Sequence, residues 1–179
     1  MKTIPELVEV TKRVIAERES AKGQGVGTLR VDVHHREQKT LEAVLKSGDR
    51  EFSFLIDEPR DRGGVGDGGN PLGYFLAGAG GCLMMQYVSL AIAQELPIDK
   101  LSMIVRAHIV RQVPCYIQDM VYDVLVEGKV SPEQVEKLAK DASHHCFVDN
   151  TLPKAIPIKT VLHLNGKEIS TLDRGPEET

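Results

Sequence analysis

Cysteine is scarce in this 179-residue chain: Cys82, Cys115 and Cys146 are its only three. They are too few and too widely spaced for the disulfide framework of a small secreted domain, which points to reduced thiols in a cytosolic protein. Basic clusters are missing as well. No run of five or more Lys/Arg occurs, and 22 basic residues are set against 26 acidic ones. Binding to a nucleic acid backbone or an anionic membrane surface would need a basic face, so neither is expected. The opening MKTIPELVEVTKRVIAERESAK carries Lys2, Glu6, Glu9, Lys12 and Arg13, which leaves no uninterrupted apolar stretch for an export signal. Internal repeats and low-complexity tracts are absent, as are G-x-S-x-G and H-E-x-x-H motifs. What remains is 41% hydrophobic and 27% charged residues, the balance of one globular domain able to bury a core.

Residues 5–19 place Leu7, Val8, Val10, Val14 and Ile15 largely on one side of a helix. Glycines at 23–27 break it. Alternating runs then predict strands at 28–34, 40–46 and 51–56, the last two joined by Ser47-Gly48-Asp49-Arg50 with hairpin-turn composition. A loop with five glycines in 59–70 ends at Asn70-Pro71, an N-cap followed by proline at the first helical position. The long helix that opens there stops before Pro97. Residues 71–94 carry no charge, enough to pass a crude membrane-span test, but Gln86, Ser89 and the glycines favour a core helix buried on all sides. Strands follow at 101–112 and 117–127, and Ser131-Pro132-Glu133-Gln134 forms a capping box opening a helix through His145. A last strand, 158–164, closes at Asn165-Gly166, with a fraying tail after Leu172. The order α-βββ-α-ββ-α-β indicates an α+β fold.

Gly64-Val-Gly66-Asp-Gly68-Gly69 satisfies the G-x-G-x-x-G dinucleotide pattern, but not its context. The strand-to-helix turn of a βαβ unit is missing, and the acidic residue due about twenty positions on falls near Ser89, inside a helix. A flexible glycine linker is the simpler reading. His144-His145-Cys146 resembles a metal cluster, yet neighbouring helical residues point about 100° apart, so no metal is expected there. Cys115, beside Pro114 in a hairpin region, reads as a bystander.

The cysteines on the two helices carry more. Val135, Leu138, Ala139, Ala142 and Cys146 form one apolar stripe. Cys82 stands among Gly78, Gly80 and Gly81, and each interior helix glycine costs roughly 0.5–1 kcal/mol relative to alanine. Close approach of another backbone or a ligand would explain them. Two such helices could bring the sulfurs together for a dithiol redox cycle; each cysteine could equally be a small buried hydrophobe. Cys82 lies about twelve residues into its helix, beyond the turn where the helix dipole supports a thiolate. A cation must therefore serve it, and Arg36, Lys39 and Arg50 are the candidates.

The run Asn70-Pro71-Leu72-Gly73-Tyr74-Phe75-Leu76-Ala77-Gly78-Ala79-Gly80-Gly81-Cys82-Leu83-Met84-Met85 resembles the first cysteine motif of the OsmC/Ohr family, the osmotically inducible and organic hydroperoxide resistance proteins. His145-Cys146-Phe147-Val148-Asp149-Asn150-Thr151-Leu152 is similar to the second. The resemblance spans roughly residues 26–165. It implies an α+β OsmC-like fold with antiparallel sheets wrapped around two central helices in an intertwined homodimer. The domain division is then an N-terminal helical extension at 1–22, the OsmC-like domain at 23–172 and a tail at 173–179. The resemblance further implies a cytoplasmic peroxidase, without cofactor, that reduces alkyl or fatty-acid hydroperoxides as part of an oxidative stress response. Cys82 would be peroxidatic and Cys146 resolving; the activating cation is not fixed by the resemblance, and Arg36 is taken for it from among Arg36, Lys39 and Arg50. Met84, Met85, Phe147 and Leu72 would line the substrate site. A dithiol would be the reductant, carried on a lipoylated protein in the Ohr branch. One position departs from the pattern: Leu72 stands where the family has the glutamate that orients the arginine. This favours the alternative of an OsmC-fold protein that binds a small apolar ligand or partner without efficient turnover.

Overall fold

The structure is a computed structural model that describes residues 4–20, 27–154, 158–164 and 167–174. The glycine break at 23–26, the Asn165-Gly166 turn and the tail at 175–179 fall outside these residues. Helix α1 (Pro5–Ser20) leads into β1 (Val31–Glu37), β2 (Thr40–Ser47) and β3 (Arg50–Ile56). The long helix α2 (Pro71–Ala93) precedes β4 (Ile98–Val110) and β5 (Tyr116–Gly128). Helix α3 (Pro132–His145), the short α4 (Phe147–Thr151), β6 (Ile158–Leu164) and β7 (Lys167–Arg174) complete the described chain. The strands form three antiparallel sheets, β1-β2-β3, β4-β5 and β6-β7. This is an α+β architecture.

Both long helices begin where local chemistry dictates. Asn70 accepts a hydrogen bond from the Gly73 N–H at 2.7 Å with Pro71 at the first helical position, so a donor left unpaired at the helix start is satisfied. Ser131 and Gln134 exchange side-chain and backbone bonds in a complete capping box. Helix α2 packs against α1, α3, α4 and β4. The core is centred there, on Leu83, Tyr87, Leu90, Ala91, Ile98, Leu138, Ala142 and Cys146.

Four expectations change. The glycine loop is not a flexible linker. The fully buried Asp57 carboxylate accepts backbone N–H bonds from Glu58, Val65, Gly66 and Asp67 at 2.7–3.3 Å. A Cβ at Gly64 would lie 1.8 Å from the Glu58 carbonyl oxygen, so glycine is needed there for close approach. Helix α2 is not buried on all sides, because Leu72, Phe75 and Met85 are exposed and a Cβ at Gly78 or Gly81 would meet nothing within 4 Å. The segment after His145 turns into α4, which at five residues is too short for periodicity to reveal. Finally, β6 is paired with β7, which runs to Arg174, so residues 173 and 174 continue a strand. Its sequence KEISTLDR lacks a clean apolar alternation.

The β1-β2-β3 sheet has one apolar face with little cover. The register pairs Val31 with Leu45, Val33 with Ala43, Leu45 with Phe52 and Ala43 with Phe54. Directly opposed residues share a face, yet Val31, Val33 and Phe52 are each about half exposed. Phe54 touches the Tyr74 ring at 4.8 Å between centroids, and the Tyr74 hydroxyl donates to the Leu55 carbonyl at 2.8 Å. These contacts tie the sheet to the start of α2.

Candidate active site

Successive one-turn steps along α3 carry its buried stripe from Leu138 to Ala142 to Cys146, all three fully buried. Cys146 ends α3 and caps α4, its Sγ accepting from the Asp149 N–H at 3.4 Å. The Asn150 amide holds this junction by donating to the carbonyls of Ser143, His144 and Cys146 at 2.7–3.0 Å. Across from it, α2 presents Cys82. The two sulfurs, 64 residues apart in sequence, lie 3.5 Å from each other. Both are free thiols, Cys146 buried and Cys82 partly exposed.

This is a dithiol in contact, with one sulfur reachable and one enclosed. Burial pushes the Cys146 thiol above its ordinary value, reinforced by Cys82, while the N–H groups of Asp149 and Val148 act in the opposite direction. The site also senses charge from its walls. The Tyr122 hydroxyl on β5 is raised chiefly by burial, then by Asp149 and the two cysteines. Burial and then Asp149 raise Tyr87 on α2. Both phenols are neutral near pH 7. The Asp149 carboxylate is engaged by the Ser143 hydroxyl.

A cleft of about 340 Å³ is lined by Phe75, Ile117, Met120, Tyr122, Asp149 and Leu152 among others; neither cysteine lines it, and Asp149, whose N–H meets the Cys146 sulfur, connects the two. The cleft is mixed in polarity and large enough for a small organic molecule. Of the residues expected to contact substrate, Met84 packs against the core. Phe147 is 71% exposed and Met85 61% exposed. Leu72 lines a separate cleft with Ile109, Cys115 and Tyr116. None of the four lines the cleft at Asp149 and Tyr122 within the chain. Arg36 is engaged by Glu42 across the β1-β2 ladder. Neither it nor Lys39 or Arg50 bonds to either sulfur among the described residues, where the sulfurs meet each other and the backbone N–H groups of Asp149 and Val148. Those residues also contain no cluster of three or more His, Cys, Asp and Glu placed to hold a metal.

The family model described as OsmC-like protein matches residues 64–161. That span is more than half of the chain and includes both cysteines. The chain belongs to the OsmC-like family. No curated protein matches it in sequence. Among solved structures, an OsmC-like protein from Mycoplasma pneumoniae superposes with a TM-score of 0.62 at 20% identity, covering 72% of this chain and 89% of that one. A putative osmotic stress induced and detoxification response protein from Psychrobacter arcticus gives a TM-score of 0.57 at 16% identity, covering 72% and 90%. An OsmC-like hydroperoxide resistance protein from Jannaschia gives 0.50 at 20%, covering 78% and 94%. At these identities the likeness is one of fold.

Sequence reading missed several residues of this OsmC-like site. Tyr122 is one position in an alternating strand, and no local signal marks it. Asp149 stands three residues after Cys146, the spacing of a side-chain cap, and that signal was available. The third is Arg18 on α1, far outside the family match. Its guanidinium donates to Gln86 Oε1 at 3.3 Å and lies 6.0 Å from the centroid of the Phe147 ring.

Proposed function

We propose that this OsmC-like protein is a thiol-dependent peroxidase for organic hydroperoxides. The observation that carries the reading is the 3.5 Å contact between a partly exposed Cys82 and an enclosed Cys146. In this scheme the Cys82 thiolate attacks a peroxide oxygen, the O–O bond breaks and the alcohol leaves after taking up a proton. Cys82 is left as a sulfenic acid. The Cys146 sulfur then attacks Cys82, expelling water and forming the disulfide. An external dithiol, for which a lipoylated protein is our candidate, supplies two electrons and two protons to restore both thiols. Family membership supports the chemistry, since hydroperoxide resistance proteins are among its structural relatives. The cleft beside Tyr122 and Asp149 offers room for the organic group, and a reducing cytosol suits the cycle. Nucleic acid and membrane partners have no place in it.

We further propose that the working form is a homodimer. The uncovered apolar face of β1-β2-β3, the open space at Gly78 and Gly81 and the exposed Leu72, Phe75 and Met85 all favour a second copy as cover. Met85, Phe147 and Leu72 would then meet substrate where two chains join, with Arg36 brought from its hairpin.

The test is consumption of cumene hydroperoxide with dihydrolipoamide. Cys82→Ser should abolish turnover, while Cys146→Ser should allow one oxidation and leave a sulfenic acid that dimedone traps. A specific observation favours a second reading, ligand binding without efficient turnover: Leu72 replaces the acid that would orient an arginine. Leu72→Glu should then raise the rate near pH 7. Wild-type turnover that is already fast, and unchanged in Leu72→Glu, would dismiss that second reading; no turnover in either protein would favour it.

A further inference from the structure

Cys146 stands at a corner between two helices. The residues before it belong to α3 and those after it to α4, while its own backbone is extended, at φ −86° and ψ 119°. Such a corner leaves the last carbonyls of α3 without the N–H groups that another helical turn would bring, and it is a point about which the chain can swivel. Yet Cys146 is fully buried, with its Sγ 3.5 Å from that of Cys82 on α2. The apolar stripe of α3 sets the side from which Cys146 arrives. Where its sulfur then points depends on the corner.

Asn150, one turn further along α4, supplies what the corner lacks. Its Nδ2 donates to the carbonyls of Ser143, His144 and Cys146 at 3.0, 2.9 and 2.7 Å. Its backbone N–H donates to the same Cys146 carbonyl at 3.1 Å, and the Cys146 N–H donates back to Ser143 at 3.1 Å. The end of α3, the corner and the start of α4 are thereby closed into one hydrogen-bonded ring. The Ser143 hydroxyl adds a tie to the Asp149 carboxylate, but that tie does not reach the Cys146 backbone. Held in this way, the sulfurs stand at the distance from which a positioned nucleophile attacks, about 3–3.5 Å. A disulfide bond is about 2.05 Å long, so only the last part of the approach remains.

We infer that Asn150 is the positioning residue that holds Cys146 in register with Cys82 and so sets how readily the pair forms its disulfide. Its purpose rests on the peroxidase reading, but the property it controls is measurable without turnover. A Cys146 in register has a high effective concentration toward Cys82, which makes the disulfide harder to reduce. Loosening the corner lowers that concentration and raises the reduction potential. In a Cys115→Ser background of the full chain, the pair is equilibrated with mixtures of reduced and oxidised dithiothreitol. The Cys82–Cys146 bond breaks as dithiothreitol closes to its cyclic disulfide, and its two thiol protons pass to the two cysteines. Acid quenching and alkylation then give the fraction of each form by mass spectrometry. Asn150 is exposed, so water replaces part of its role and a moderate effect is expected. Asn150→Ala should lower the equilibrium constant for disulfide formation roughly three- to tenfold, which raises the potential by about 15–30 mV. Asn150→Ser, which keeps one short donor, should fall between Asn150→Ala and wild type. Thr151→Ala removes a 2.7 Å bond to the Phe147 carbonyl within α4 and none at the corner, so it should keep the wild-type potential.

A potential for Asn150→Ala equal to or below that of wild type would overturn the inference. So would equal shifts in Asn150→Ala and Thr151→Ala, which would indicate a general loosening of α4. If Asn150→Ala does not fold, Asn150→Ser decides on the same terms against Thr151→Ala. A wild-type pair that forms no disulfide would overturn the inference together with the disulfide-based cycle. A shifted potential in a chain that consumes no hydroperoxide leaves Asn150 in its part and removes the peroxidase reading. Conversely, turnover with unshifted potentials leaves that reading standing and removes only Asn150.

Discussion

Cys146 and Asp57 show how burial acts on two groups with different partners. Cys146 is enclosed, and burial outweighs the N–H bond from Asp149, so its thiol is raised and mostly protonated near pH 7. As pH climbs its thiolate fraction grows, and closure of the disulfide on an oxidised Cys82 should accelerate. Dimedone trapping after one equivalent of hydroperoxide should therefore fall as pH rises from 7 to 9. A yield that stays level would show that ionisation of Cys146 does not control closure. Asp57 meets the same penalty, but there the backbone N–H groups of Asp67, Glu58 and Gly66 prevail and hold the carboxyl below its ordinary 3.8. A lowered folded value means that the ionised form favours the fold. That contribution is complete above the ordinary value and is lost as pH falls through the folded one. Asp57→Asn puts an amide N–H₂ among N–H donors, so it should melt lower than wild type at pH 7. The difference should shrink as the pH drops below about 4, measured by thermal unfolding.

At the scale of the element, helix α2 carries two kinds of glycine. A Cβ on Gly80 would lie 2.5 Å from Cγ2 of Val105 on β4, whereas Gly78 and Gly81 face open space within the chain. Alanine at position 80 would gain about 0.5–1 kcal/mol of helix propensity, but overpacking against a stiff β-branched neighbour costs about 1–3 kcal/mol. Gly80→Ala should destabilise by about 1–2 kcal/mol in urea unfolding. Gly78→Ala should stabilise an isolated chain by about 0.5–1 kcal/mol. If a second copy packs at Gly78, the same change should weaken association instead, and the two outcomes separate by their dependence on protein concentration.

The described residues of the molecule leave apolar surface exposed. One face of the β1-β2-β3 sheet and one side of α2 carry exposed apolar residues, and the Phe54–Tyr74 ring contact ties the two elements together. Contiguous exposed apolar surface is where protein–protein contacts are usually found, which is the basis of the proposed dimer. Light scattering in dilute buffer should give twice the 19.7 kDa chain mass. A 20 kDa species would remove the dimer and, with it, the route by which Met85 and Leu72 could share a substrate site. Helix α2 is also long and apolar enough to cross a membrane, with 44% of its apolar window buried inside the chain. Its packing on α1, α3, α4 and β4 gives it a role in the protein core.

Local rules determined much of this. Asn70-Pro71 and Ser131-Pro132-Glu133-Gln134 set the starts of α2 and α3 because caps are satisfied within four residues. Alternation placed the cores of β2 through β6 because one residue's face follows from its neighbour's. The two cysteine motifs stood out in the chain, and the 3.6-residue period aimed Cys146 at the interior. Tertiary structure alone decided what depends on distant partners. It set the 3.5 Å between sulfurs 64 residues apart, the closing of the glycine loop on Asp57 and the difference between Gly80 and its neighbours. It also brought Arg18 to Gln86 and Phe147, from a helix with no local mark of a site. Spacing along a chain fixes the direction of a side chain, but the group it meets depends on how separate elements pack.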